Sequence, residues 1–378
     1  MLPIAVTGSV GKTTTTDLLG AALRTIGPTV ALEHGPNRAS GLAHAVAAAG
    51  PETRFLVQEI GVASSGAGSL DELLWALEPR AALITNARSD HLSALGGPDG
   101  AAREKVKAVK ALPATGLAVL NADDPRIRAM ATAAPCRVVL AGRADDAEVR
   151  VVETTLGPDG RLVARLAADG AEHVLSTQLV GPHWETAVVL AFAAAIRLGA
   201  DPAAAARAIE AKAPSDERLS VVTTATGARF LVDTAKSTEA SMDASLAGLA
   251  AMTATRRVAV IGSLFDYSDA SPEETVMRVV REALAVASEV ILYGNSAMNA
   301  PPETLADPRV RRFSEPRPLA DALWAEIGPG DLVLLKGALL ADHLARVSLR
   351  ATHDVRCWRT SCGKRLPCTM CRHLGPVL

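Results

Sequence analysis

The sequence predicts an α/β protein made of a P-loop nucleotide-binding domain around a parallel sheet, a C-terminal Rossmann-like α/β domain and a short Cys-rich tail. Three observations predict it. A glycine-bearing loop ending in Gly-Lys-Thr separates a short apolar start from a helical stretch. Apolar strand-like runs then alternate with alanine-rich helical stretches, the pattern of a parallel sheet with helices on its faces. That alternation breaks near Pro214 and restarts, and 378 residues exceed one ordinary core. Hydrophobic residues make up 49% and charged residues 21%, the balance of a packed globular chain.

The first element is Met-Leu-Pro-Ile-Ala-Val, followed by Thr-Gly-Ser-Val-Gly-Lys-Thr-Thr-Thr at 7–15 and a helical run from Asp17 to Leu23. Strand, glycine loop, Lys-Thr and helix is the arrangement that holds a nucleoside triphosphate. Gly8 and Gly11 let backbone N–H groups turn toward phosphate, with Ser9, Val10 and Thr14 in the same wrap, and the helix N-terminus adds its positive end. Lys12 is expected on the β/γ-phosphates and the Thr13 hydroxyl on Mg²⁺. Val6 stands where the motif's first glycine is usual.

Strand runs follow at 55–57, 81–84, 117–120 and 137–140. Residues 149–179 read as a small antiparallel meander with a Gly-Pro-Asp-Gly turn, then helices at 183–198 and 202–212. Ala213-Pro214-Ser215-Asp216 looks like a hinge. Beyond it, strand runs at 229–232, 257–261, 289–292 and 331–335 make a second α/β domain. The expected boundaries are 1–213, 214–350 and an extension at 351–378.

Charge and hydropathy exclude other classes. A net charge of −2 lacks the basic excess of a nucleic-acid binder. No apolar run approaches the roughly 20 residues needed to cross a bilayer. The phosphate loop begins where a signal peptide would have to stay apolar, so a cytoplasmic location is expected.

Two further stretches carry chemistry. Gln58-Glu59-Ile60-Gly61 and Ile84-Thr85-Asn86 through His91-Leu92 each follow an apolar run, so Glu59, Asn86 and His91 are expected at strand C-terminal ends. That rim is where open α/β sheets collect ligands. Thr13, Glu59 and His91 form an O, O, N set able to hold Mg²⁺ against phosphate oxygens. Lys105 lies fourteen positions after His91.

Together these motifs resemble the Mur ligase superfamily, and most closely the branch that adds the last dipeptide to the cell-wall precursor. Its Thr-Gly-x-x-Gly-Lys-Thr-Thr, Glu-Ile/Met-Gly, Ile-Thr-Asn-x-x-x-x-His-Leu and lysine fourteen after that histidine all occur, in order, within 7–105. Weaker similarity continues through Asn-Ala-Asp-Asp-Pro at 121–125, Gly-Pro-His at 181–183, Arg218, Asp233 and Lys336-Gly337. The resemblance implies an ATP-dependent ligase. It would move the γ-phosphate to a substrate carboxylate, admit an amine to the acyl phosphate, and release ADP and phosphate. It places Glu59 and His91 on a second Mg²⁺ and makes Lys105 a lysine carbamylated by CO₂. His183 would lie near the adenine, Arg218 on phosphate and Asp233 on ribose.

The sequence also departs from that family. It starts at the phosphate loop, without the N-terminal UDP-gripping domain, so a small or carrier-borne carboxylate rather than a UDP-linked one is expected, with an amine or amino acid as partner. The family's Asp-x-Tyr-Asn-Ala-Asn-Pro-x-Ser-Met reads Asp233-Thr234-Ala235-Lys236-Ser237-Thr238-Glu239-Ala240-Ser241-Met242. Trp184 replaces an asparagine and Ala338 a serine. A poly-γ-glutamate or cyanophycin-type synthetase and a nucleotide-binding regulatory protein stand as alternatives. Of five cysteines, Cys357, Cys362, Cys368 and Cys371 crowd the last 22 residues, with His373 close. Tetrahedral Zn²⁺ on four thiolates is expected there, with free thiols, an iron–sulfur cluster or a redox pair as alternatives. The surrounding Arg346, Arg350, Arg356, Arg359, Lys364, Arg365 and Arg372 either dock an acidic partner or are simply solvated.

Overall fold

The computed structural model describes residues 1–32, 35, 37–61, 69–87, 97–265, 271–364 and 366–378, without the side chains of Glu239 and Ala240. The chain divides into two compact units, Met1–Gly157 with Arg161–Ser215, and Pro158–Gly160 with Asp216–Leu378.

The first unit alternates β1 (Leu2–Thr7), α1 (Lys12–Leu23), β2 (Thr29–Ala31), α2 (Ala39–Ala48), β3 (Phe55–Glu59), α3 (Leu70–Leu77), β4 (Ala81–Ile84), α4 (Pro98–Lys110), β5 (Leu117–Asn121), α5 (Pro125–Ala129) and β6 (Arg137–Gly142). Then come β7 (Val149–Leu156), β8 (Arg161–Ala168), β9 (Ala171–Val180), α6 (Glu185–Arg197) and α7 (Pro202–Ala211). The sheet order is β2-β3-β1-β4-β5-β6-β7-β8-β9. It is parallel through β7 and antiparallel from β7 to β9. The expected meander is therefore the far edge of the main sheet, joined to it by β6–β7 pairing. The strands are apolar because both faces are covered: Ile4, Ala5, Val6, Leu56, Leu83 and Leu120 are wholly buried. Each of the Ile, Val and Leu side chains contributes about 1.5–3 kcal/mol.

Helix α1 packs on α6 and α7. Its polar face is not solvated: Asp17 is buried and accepts a hydrogen bond from the Ser215 hydroxyl. The helix expected at 183 opens with a 3₁₀ turn, Pro182–Trp184, because Pro182 fixes the backbone there.

The second unit runs β10 (Ser220–Thr223), β11 (Arg229–Asp233), α8 (Glu239–Ala251), β12 (Arg256–Ile261), α9 (Pro272–Leu284), β13 (Glu289–Leu292), α10 (Gly294–Met298), α11 (Pro302–Leu305), β14 (Val310–Arg312), α12 (Pro316–Glu326), β15 (Asp331–Lys336) and α13 (Ala345–Leu349). Its sheet order is β10-β11-β15-β12-β13-β14, parallel except for β10–β11. Asp342 ties the strand ends together by accepting from Ser263 N–H and Oγ–H and from Ala338 N–H. Burial nonetheless pushes its carboxyl up from the ordinary range.

The tail belongs to this unit. Its last residues fold back, with Asp354 N–H donating to Pro376 O, Arg356 N–H to Leu374 O and Leu378 N–H to Thr352 O. Trp358 packs against the second unit's core. Arg365 lies outside the described residues, Arg356, Arg359 and Arg372 are exposed, and Arg346 and Arg350 are engaged within the unit. Arg346 is fully buried, and Arg350 lies over Trp324 and Trp358 while pairing with Asp321. The expectation of a solvated or docking face fails for Arg346, whose guanidinium instead donates to main-chain carbonyls of Asp342, Cys357 and Arg359.

Candidate functional site

Sheet order decides what meets at the rim. β1 lies between β3 and β4, so Thr7, Glu59 and Ile84 end side by side although far apart in sequence. The chain leaves β1 through Gly8, whose φ is +152°, and reaches Gly11, the N-cap of α1, at φ +84°. A Cβ on Gly8 would stand 1.9 Å from Thr85 Oγ1, so glycine is required there by contact as well as by backbone.

The β4 end holds this loop. Val10 N–H donates to Asn86 Oδ1 at 3.0 Å, Asn86 Nδ2 donates to Val10 O at 3.1 Å, and the Thr85 hydroxyl donates to the same carbonyl at 2.6 Å. Ser9 N–H donates to Asn86 O. Behind them Asn121 Nδ2 donates to Thr85 O, and Ala87 N–H donates to Asp124. Lys12 Nζ curls over the loop, donating to Gly8 O and Ser9 O at 2.9 Å each. Thr14 is buried in the first turn of α1.

At the mouth of the loop the Thr13 hydroxyl donates to Glu59 Oε2 at 2.6 Å, and Asn37 Nδ2 reaches Glu59 Oε1 at 3.3 Å. Two hard oxygen donors in direct contact beside a phosphate-type loop fit a small divalent cation such as Mg²⁺. Lys105 is buried on α4, only 3% exposed. His91 lies outside the described residues.

His183 is half-buried with its ring 4.5 Å from that of Trp184, whose indole N–H donates to Val180 O. The asparagine replacement at 184 is thus a packing residue. In the second unit Asp233, at the end of β11, accepts from the buried Lys336 ammonium at 2.7 Å and from Ser245 Oγ at 2.5 Å. Lys336 also donates to Lys236 O. Burial is the larger influence on Lys336 and pulls its pKa down against the attraction of Asp233. Arg218 follows buried Glu217, whose φ is +63° and whose carboxyl burial pushes up.

Matches to family models cover most of the chain: the Mur ligase middle domain over 6–195 and the Mur ligase glutamate ligase domain over 217–339. The chain belongs to the Mur ligase family. It is an ATP-dependent ligase that forms an amide C–N bond. It is similar to the UDP-N-acetylmuramoyl-tripeptide–D-alanyl-D-alanine ligase of Mycobacterium tuberculosis, 31% identical over 96% of this chain and 74% of that protein. In fold it resembles MurF from Acinetobacter baumannii (TM-score 0.79, 23% identity, 89% of this chain and 74% of that one). It also resembles MurF ligase from Thermotoga maritima in complex with ADP (TM-score 0.74, 20% identity, 89% and 76%).

Among the described residues, the structure brings Gly8–Thr14, Glu59 and Asn86 to one rim. Sequence reasoning missed Thr85, Asn37 and Lys336 as site residues. Lys336 ends an apolar strand at a Lys-Gly step, which marked a similarity but not a partner. Asn37 carried no signal. In the tail, Cys362 Sγ lies 3.0 Å from His343 Nε2 and Cys368 Sγ 3.6 Å from Nδ1. Among the described residues no three His, Cys, Asp or Glu side chains are arranged to hold a metal ion, so the expected zinc set is not formed as the side chains stand. No helix among them is long and apolar enough to cross a membrane.

Proposed function

We propose that this ligase joins a small or carrier-borne carboxylic acid, not linked to UDP, to an amine other than a D-alanyl dipeptide. The observation that carries the site is the Thr13–Glu59 contact beside the Lys12 loop. What supports a distinct acceptor is the 233–242 segment, where Ala235, Lys236, Ser237 and Thr238 replace the family's residues. The division into 1–213, 214–350 and an extension at 351–378 is proposed on the break in strand–helix alternation at 213–216 and the cysteine-rich, basic end.

A carboxylate approaching the γ-phosphorus meets roughly four negative charges, so cations must gather first. Lys12 leaves the Gly8 and Ser9 carbonyls for the β/γ-phosphates, in a loop whose Ser9 and Val10 N–H groups are held by Asn86 and whose Val10 carbonyl is held by Asn86 and Thr85. Thr13, Glu59 and His91 would hold Mg²⁺, which would supply charge neutralisation there. Lys105, buried on α4, is proposed as the carbamylated lysine, and His183, Arg218 and Asp233 as adenine, phosphate and ribose contacts. The carboxylate oxygen bonds to the γ-phosphorus as the β–γ bridge breaks and ADP leaves. The amine nitrogen then bonds to the acyl carbon, phosphate departs, and the amine loses a proton to solvent.

The test is phosphate release with ATP and Mg²⁺ across arrays of acids and amines, including UDP-N-acetylmuramoyl-tripeptide with D-alanyl-D-alanine. Turnover with that last pair and no other would overturn the substrate reading. Lys12→Ala and His91→Ala each abolish turnover; wild-type rates in either would remove the site. Lys105→Ala loses activity that short carboxylic acids partly restore, and full activity without them removes the carbamate.

A further inference from the structure

We infer that the tail is a binding site for one soft divalent cation, with zinc as the expected ion and the four sulfurs of Cys357, Cys362, Cys368 and Cys371 as its ligands. These thiols, 357 to 371 in sequence, line one cavity with His343 and Arg346. The cavity holds about 20 Å³, room for a single water-sized occupant, which needs about 10–15 Å³. An ion fits that space; an organic ligand does not.

The reason the sulfurs do not yet form a coordinating set is local. Cys362 and Cys368 contact opposite nitrogens of the His343 ring. Two sulfurs on opposite edges of one imidazole cannot share an ion with it. A four-sulfur set would require the two cysteine side chains to rotate off the ring toward Cys357 and Cys371, which line the same cavity. His343, buried on the cavity wall, then stays as a neighbour rather than a ligand.

Charge supports the same assignment. Arg346 is 1% exposed, and its Nε has no hydrogen-bond partner among the described residues. The Lys364 ammonium stands 4.0 Å from Cys371 Sγ. Four neutral thiols do nothing for two neighbouring cations. Four thiolates around Zn²⁺ carry two net negative charges, which these cations offset against the nearby Glu217 and Asp342 carboxylates; the thiol protons go to solvent on binding. Among the tail's described residues after α13 the regular helical structure is the 3₁₀ segment Cys368–Met370, which carries one of the four thiols.

The site touches the nucleotide reading at one place. The backbone of Cys368 lies against the Glu217 carboxylate, Thr234 Oγ1 donates to Glu217 Oε2, and Arg218 is the next residue. A set tail would therefore fix the turn that presents Arg218. This arm rests on the phosphate role proposed for Arg218; the metal site does not.

The experiment uses the full chain purified under reductant. Metal analysis should find about one zinc per chain, released by a mercurial thiol reagent. Cobalt added to stripped protein should give a thiolate-to-cobalt charge-transfer band and tetrahedral d–d absorption. Both are lost in Cys368→Ser and kept in Cys136→Ser and His343→Gln. Should a cysteine variant fail to fold, the cobalt titration of the unaltered chain decides alone. No zinc after incubation with Zn²⁺, an iron chromophore, or metal surviving in Cys368→Ser overturns the site. Metal lost in His343→Gln overturns the four-sulfur ligand set. Stripping should weaken ATP binding severalfold; metal bound with ATP affinity unchanged overturns the Arg218 arm only.

Discussion

Asn86→Ala tests whether the phosphate loop is built by its neighbour strand rather than by its own glycines. The alanine removes two hydrogen bonds, from Val10 N–H at 3.0 Å and to Val10 O at 3.1 Å. The carbonyl keeps the Thr85 hydroxyl at 2.6 Å, so only the N–H loses its partner. Each bond contributes about 0.5–1.5 kcal/mol, and a buried orphan N–H costs about 1–3 kcal/mol more. Val10 is half-buried and water can reach it, which removes most of the orphan cost. A net loss of about 1–2 kcal/mol follows, and 1–2 kcal/mol is a factor of about 5–30 in an equilibrium constant. Titration of a fluorescent ATP analogue should show Kd raised by that factor, with urea unfolding of the first unit shifted by no more than the same free energy. A Kd within about twofold of the parent would mean the loop holds its shape unaided, and the reasoning fails.

Three other expectations concern separate parts of the chain. Gly8→Ala drives a Cβ into Thr85 and should abolish ATP binding. Gly11→Ala meets open space and loses only the roughly 1–2 kcal/mol of its left-handed backbone; equal effects in binding assays would refute the distinction. Lys336→Met leaves Asp233 without its buried cation and should lower unfolding free energy by about 3–5 kcal/mol, less some relief from the 14% exposure of the aspartate side chain; chemical denaturation showing no loss refutes it. Burial raises the Cys136 thiol above its ordinary value, so its thiolate fraction at pH 8 falls below that of a free thiol. Its alkylation should be slower than a model thiol's at that pH and gain on it as pH rises; parity at pH 8 removes the argument.

Much of the fold was legible because buried parallel strands are apolar on both faces. The runs at 81–84 and 289–292 coincide with β4 and β13. Short edge strands were not legible: β2, β10 and β14 have three or four residues, half-exposed at most positions, and carry no apolar run. Lys12, Thr13 and Glu59 were readable because their motifs are local. Their partners were not, since hydrogen bonds between Val10 and Asn86 span 76 positions.

The order of residues alone specified a nucleotide loop, two parallel-sheet units and a thiol-rich end, because each depends on neighbours a few positions apart. Only the folded chain decided that β1 would lie between β3 and β4, bringing Thr13 against Glu59. It also decided that Arg346 would be buried beside the thiols with His343 between two of them. Sheet order and long-range burial are set by packing energy summed over the whole unit, which no short stretch of sequence contains.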